Sequence, residues 1–290
     1  MARKKTTATE AIITARTFNT ITEMERHLSA GVTQTEVGFR ADSEDKSPSY
    51  KRFSGTESYE QANNLLLYGD RNLARRITEA GTYTTEAKIQ KYMAKRTYTA
   101  SVVGAVPHVA NYVAGCPNTM IRIQQTRQPQ KVVTIGYCMT VSAFVDIEDM
   151  IRVAAEMVSA IMILEAKGIR VNYYTLNYNY ANEGRAQHII SNAIKIKSAG
   201  QKLDLLKMAY PMASPSMFRR HIFKFFETEP GIPKAFTGGY GTVCRDTATI
   251  KKHMADVHKI KFDSVFAFDD IEGKNAEQIV DMVCGTNKAR

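Results

Sequence analysis

The segment from Val132 to Tyr178 constrains this chain more than any other. Lys131–Tyr137 is a short apolar run rich in β-branched residues, and it reads as a strand. Asp146-Ile-Glu-Asp149 places acids where a helix begins, which suits the positive end of the helix dipole. Ile151, Ala154, Ala155, Val158, Ile161, Met162 and Leu164 follow, mostly three and four residues apart, which predicts an amphipathic helix of about 19 residues. Lys167-Gly168 ends it, and Ile169–Tyr178 reads as a second strand. A strand, a helix and a strand joined this tightly form a βαβ unit with parallel strands.

The neighbouring segments extend that unit. His188–Lys197 reads as a third strand. Asn179–Arg185 is too short to contain a crossover helix, so the second and third strands are expected to form an antiparallel hairpin at a sheet edge. Two helices are expected over Leu203–Tyr210 and Ser216–Phe226, separated by Pro211 and Pro215. Gly231–Thr242 reads as a loop, followed by a helix over 246–258, a strand over 263–268 and a last helix over 275–284. The predicted class is α/β, with a mostly parallel sheet flanked by helices.

The first half has a different pattern. Residues 1–53 read as an irregular arm containing one short helix, opened by Thr20 with Glu23 three residues on and closed by Gly31. Three helices are expected next, near 58–68, 70–80 and 84–93. Residues 98–107 are β-branched and extended, 109–115 form a helical turn, and 120–124 could be a strand. The expected organisation is an arm over 1–53, a mainly helical region over 54–130 and an α/β domain over 131–290.

Composition excludes several classes. A hydrophobic fraction of 44% and a charged fraction of 23% are ordinary for a chain that buries a core. No apolar run approaches the roughly 20 residues that span a bilayer. The charged start Met1–Lys5 is followed by polar residues rather than by the apolar stretch of a signal peptide. Cys116, Cys138, Cys244 and Cys284 are scattered without a Cys-x-x-Cys pair, so reduced and buried cysteines are expected rather than a zinc site. The net charge of +10 favours anionic partners.

In an open α/β sheet, chemistry is first sought after the first strand of the βαβ unit. Gly136–Phe144 has a single glycine, too few for a phosphate-cradling loop. Thr140 and Ser142 alternate as cation-binding hydroxyls would, but Cys138 stands where a carboxylate is needed. Tyr137, Cys138, Thr140 and Ser142 are therefore candidates for an interaction loop rather than a metal site. Arg219 and Arg220, set among phenylalanines, and Lys251 and Lys252 are the candidate anion or nucleic-acid contacts. The same phenylalanines at helical spacing also suit a core face, with the arginines solvated or paired. No His-Glu-x-x-His occurs, and His253 and His258, five apart, are poorly spaced as ligands on one helix face.

Three stretches carry a resemblance: Ser54-Gly-Thr…Leu-Tyr-Gly69, Val106–Pro117 with Met120, and Val133–Tyr137 with Gly168–Val171. Together they resemble an uncharacterised family of tailed-phage and plasmid-borne proteins, over most of residues 54–226. The second half also resembles a von Willebrand factor A-type domain. That likeness implies a metal site beginning Asp-x-Ser-x-Ser, with Cys138 replacing the acid and Thr140 and Ser142 matching the hydroxyls. The expectation is a non-enzymatic phage-encoded protein, without cofactor, metal or membrane partner. It would act through phage or host proteins in the host cytoplasm or in the virion, and a nucleic-acid-binding protein is the alternative.

Overall fold

A computed structural model describes residues 11–81, 97–124, 131–140 and 145–285. Its centre is a mixed, mostly parallel sheet. Strand β1 is Ala11–Phe18, β5 is Val132–Cys138, β6 is Arg170–Glu183, β7 is Ala186–Lys197, β8 is Thr242–Val243 and β9 is Ser264–Phe266. The order is β1-β7-β6-β5-β9, with β8 pairing β6 beyond the end of β5. The β1–β7, β5–β6 and β5–β9 pairs are parallel, while β6 runs antiparallel to both β7 and β8. The βαβ unit is therefore present, with Val133 opposite Val171 and Cys138 opposite Leu176.

Helix α6, Ile147–Ala166, makes the crossover, with Glu148 and Asp149 in its first turn. It is buried on nearly every side, because three helices pack around it as well as the sheet. These are α4 (Arg71–Ala80), α7 (Leu205–Ala213) and α10 (Ala276–Cys284). Side chains such as Val158, Ile161 and Leu164 are wholly enclosed, each contributing about 1.5–3 kcal/mol of apolar burial. The other sheet face is covered more thinly. Helix α9, Thr247–Asp256, lays Ile250 and Met254 on Tyr174, Leu176 and Tyr178 there. Gly136 belongs to this face for a packing reason: a Cβ would lie 2.6 Å from Leu176 and 3.0 Å from the Phe262 ring.

The structure departs from the sequence-based expectations in three places. The expected irregular arm supplies β1, whose Ala11 pairs with Gln187 and whose Phe18 pairs with Ile194. As a result, the β6–β7 hairpin lies inside the sheet rather than at its edge. Pro211 does not end its helix, and α7 runs through it to Ala213 with the Asp204 side chain capping the start. The expected helix over 84–93 lies outside the described residues.

The helices between β1 and β2 begin at side-chain caps. Thr20 accepts from Glu23 N to start α1 (Ile21–Ala30), and Ser47 accepts from Tyr50 N for α2 (Pro48–Ser54). Ser58 caps α3 (Tyr59–Tyr68), and Asp70 caps α4. Each cap satisfies a backbone donor left open at the helix start.

Residues 97–124 form a second, three-stranded sheet. Strands β2 (Thr97–Ser101) and β3 (Val106–Pro107) both pair antiparallel with β4 (Met120–Gln124), and helix α5 (Val109–Val113) joins β3 to β4. Gly104 allows the chain to turn over β4, since a Cβ there would fall 2.3 Å from the Ile121 carbonyl oxygen.

Candidate functional site

The carboxyl ends of β5 and β9 meet where an α/β sheet usually holds its ligand. Thr140, Val145, Cys244, Arg245, Phe268 and Asp269 surround a notch of about 20 Å³, room for roughly one water molecule. Arg245 and Asp269 pair across its mouth at 3.3 Å. Tyr137 and Cys138 are buried, and burial pushes both the phenol and the thiol above their ordinary pKa values. Cys138 Sγ lies 2.9 Å from Thr140 Oγ1, so the two side chains satisfy each other. A protonated thiol is a poor nucleophile and a poor metal ligand. Ser142 lies outside the described residues. Among those described, no three His, Cys, Asp or Glu side chains are grouped as metal ligands. Cys244, Arg245 and Asp269 were not marked by the sequence as a group, because only the β6–β8 and β5–β9 pairings bring them to Thr140.

The basic candidates separate. Arg219 and Arg220 belong to a π-helical turn, Met217–Ile222, that leads into α8 (Phe223–Thr228). Both are buried, so they face the interior rather than a nucleic-acid groove. Arg220 donates from Nε to Thr56 Oγ1 at 2.7 Å and from Nη2 to Thr56 O at 2.8 Å. Its Nη1 donates to Ser43 O at 2.8 Å and to Asp45 O at 3.2 Å. Arg219 donates to Phe53 O and stacks over the Phe53 ring at 4.3 Å. Lys251 and Lys252 are exposed on α9, across the sheet, and Lys251 Nζ donates to Asp263 O at 2.7 Å. The two basic pairs lie on opposite faces and do not converge.

Around Arg220 lies an enclosed polar network. Glu227 accepts from Ser43 N at 2.9 Å, Ser43 Oγ at 2.5 Å and Tyr240 Oη at 2.8 Å. Burial raises the Glu227 carboxyl pKa, and the hydrogen bonds from Ser43 partly oppose that rise. Ser43 thus bridges a buried cation and a buried acid, pinning the 42–44 turn to α8. His221 Nδ1 contacts Tyr210 Oη at 3.2 Å, and burial lowers the imidazole pKa to about 3. Arg220, Ser43 and Glu227 all engage protein partners, which is the geometry of a staple.

Beneath α9 lies a second polar cluster. Ser191 Oγ is 2.8 Å from His253 Nε2 and 2.9 Å from His258 Nε2, and His258 Nδ1 is 2.8 Å from Thr17 Oγ1. The two histidines meet at one hydroxyl despite their five-residue spacing, because His258 sits in the loop after α9. Ser191 is fully enclosed, so this serine–histidine contact offers no path to a substrate.

The exposed feature is the three-stranded module. Among the described residues, thirteen large hydrophobic side chains are exposed, and seven of them fall between Tyr98 and Val113. Val113 is 80% exposed, Val103 76% and Tyr112 73%. Arg122 is the sole Lys, Arg, Asp or Glu in residues 97–124. Apolar groups clustered on a surface almost without charge mark a contact region. Its sequence signal was a 28-residue span with one charge in a chain that is 23% charged.

No curated protein and no solved structure matches the chain. A family model described as a domain of unknown function matches residues 5–284. A match over nearly the whole chain places this protein in the DUF7192 family.

Proposed function

We propose that this is a non-enzymatic interaction protein of a tailed phage, acting in infection or virion assembly by holding a phage or host protein through residues 97–124. The observation that carries this reading is the exposed, nearly uncharged apolar surface of that module. The notch after β5 adds support, since it is sized for one water molecule and burial raises the pKa of the neighbouring Cys138 thiol. The phage setting rests on the three resembling stretches. The order β7-β6-β5-β9, with a hairpin following the βαβ unit, supports a von Willebrand factor A-like reading of the second half. The nucleic-acid alternative has weaker support, because Arg219 and Arg220 are engaged inside the fold.

The test is photo-crosslinking in infected cells, with a photoreactive residue at position 112 and a control at the exposed position 252. A defined protein adduct at 112 and not at 252, lost in a Val103→Asp background, is the expected result. Adducts at neither position, together with DNA binding that weakens steeply with salt, would overturn the proposal in favour of the alternative.

A further inference from the structure

We infer that the module also seats itself on an anionic lipid surface, its uncharged tip entering the headgroup layer and its flanking cations meeting the lipid headgroups. This goes beyond the reading of a protein partner and does not depend on it. The expectation of no membrane partner rested on the lack of a spanning run, and an interfacial anchor needs none.

The strand pairing sorts apolar and charged residues to opposite ends of the module. Ser101 and Pro107 both pair with Met120, so β2 and β3 finish at the end where β4 begins. Val102 and Val103 lie in the bend that follows β2, and His108 N donates to Thr119 O as the chain passes into α5. Val102, Val103, Val109, Tyr112 and Val113 therefore share that end, and each is exposed. No Lys, Arg, Asp or Glu falls between Thr97 and Ile121. At the opposite end Thr97 pairs with Gln124, so the chain enters and leaves the module there. Lys95 and Arg96 come immediately before β2, and Arg127 and Lys131 follow β4. The first cation behind the tip is Arg122, exposed and two residues along β4 from Met120, about 7 Å at about 3.4 Å per residue. The apolar groups of interfacial anchors enter the headgroup and acyl boundary by about 5–10 Å, so Arg122 would stand at headgroup level. Tyr98, opposite Ile123, is one position further back, where amphipathic rings are favoured.

The charge pattern selects a bilayer. From Ala87 to Val145 the chain has seven Lys or Arg and no Asp or Glu, although acids make up 29 of its 290 residues. An acid-free span of that length suits a surface that is anionic over a wide area, and the headgroups of anionic lipids present one. Nucleic acid would need the cations at the contact itself, whereas here uncharged valines lead and the cations stand behind them. A protein pocket for the tip would not call for an acid-free span on both sides of it.

The experiment sediments the full chain with vesicles of phosphatidylcholine, with and without phosphatidylserine. Binding to the phosphatidylserine vesicles is expected, weakened about fivefold by each of Lys95→Gln and Arg96→Gln and reduced by added salt. Val103→Asp and Val113→Asp should each reduce it by about tenfold or more, with an unchanged thermal midpoint, because both valines are exposed. The chain has no tryptophan, so Tyr112→Trp reports on the tip alone. Its emission should shift to the blue on the same vesicles, while that of Lys252→Trp should not. A chain that stays in the supernatant with both vesicles would overturn the inference, whether or not position 112 crosslinks a protein in infected cells. So would equal binding to both vesicles, binding that survives Val103→Asp and Val113→Asp, or an unshifted emission from position 112. Vesicle binding of the expected kind without any crosslink at 112 would uphold the inference and count against the protein partner alone.

Discussion

The π-helical turn with α8 and the three-stranded module invert the usual distribution of polarity. The first places Arg219, Arg220 and Glu227 in the interior, and the second places valines and tyrosines in solvent. Buried charge is costly unless every donor and acceptor has a partner, and around Arg220 and Glu227 the partners are present. Exposed apolar area has no comparable compensation within the described chain. One region therefore holds the fold together, and the other is suited to contact something else.

Arg220→Ala is the sharpest way to break this contrast. It leaves Thr56 O and Ser43 O without their donor and should lower unfolding free energy by about 3 kcal/mol or more. Urea titration followed by circular dichroism reads it, and a loss below about 1 kcal/mol would mean the network is loosely held.

Acid is the next test. His221 stays neutral in the fold until pH falls to about 3, and His258 until about 4, whereas both bind a proton near pH 6.5 once unfolded. Burial is the main cause in each case. The unfolded state then carries more protons, so stability is complete above pH 6.5 and declines as pH falls toward those values. Each histidine contributes up to about 1.4 kcal/mol per pH unit. Glu227, with its carboxyl pKa raised by burial, acts in the opposite sense, losing stability as pH rises above the unfolded glutamate range. Urea titrations at a series of pH values should show the decline, and His221→Gln should flatten it. An unchanged slope in that variant would mean that the imidazole is not the group that titrates.

The smallest effect belongs to the module. Val109→Ser removes an exposed side chain and should change the same unfolding free energy by no more than about 0.5 kcal/mol. A larger loss would show that the valine is already covered within the chain.

The sequence revealed one of these two regions better than the other. The β5–α6–β6 unit was legible because its strand and helix periodicities change at Gly168 and at the acids of the helix start. Strand β1 was not, since its partner lies far away in sequence and Ala11-Ile-Ile-Thr-Ala-Arg-Thr-Phe18 alternates weakly. The module's segments 98–107 and 120–124 were legible as extended pieces. Their exposure was not, because hydrophobic residues carry no mark of which side they face when the sheet is small. Arg219 and Arg220 were misleading for a related reason. A basic pair beside phenylalanines reads the same whether it faces phosphate or a buried carbonyl, and Ser43 and Thr56, which engage Arg220, are more than 160 residues away.

The pairing of β1 with β7 also sets an order of events during synthesis. Ala11 must wait for Gln187, 176 residues later (187 − 11), before its backbone finds a partner. At about 5–20 residues per second, that interval is on the order of ten to thirty seconds. Throughout it, an apolar, β-prone stretch has no sheet to join, and it is open to holding by a chaperone or to capture by another nascent chain. The first described strand to leave the ribosome is the one whose place in the sheet depends on the last third of the chain.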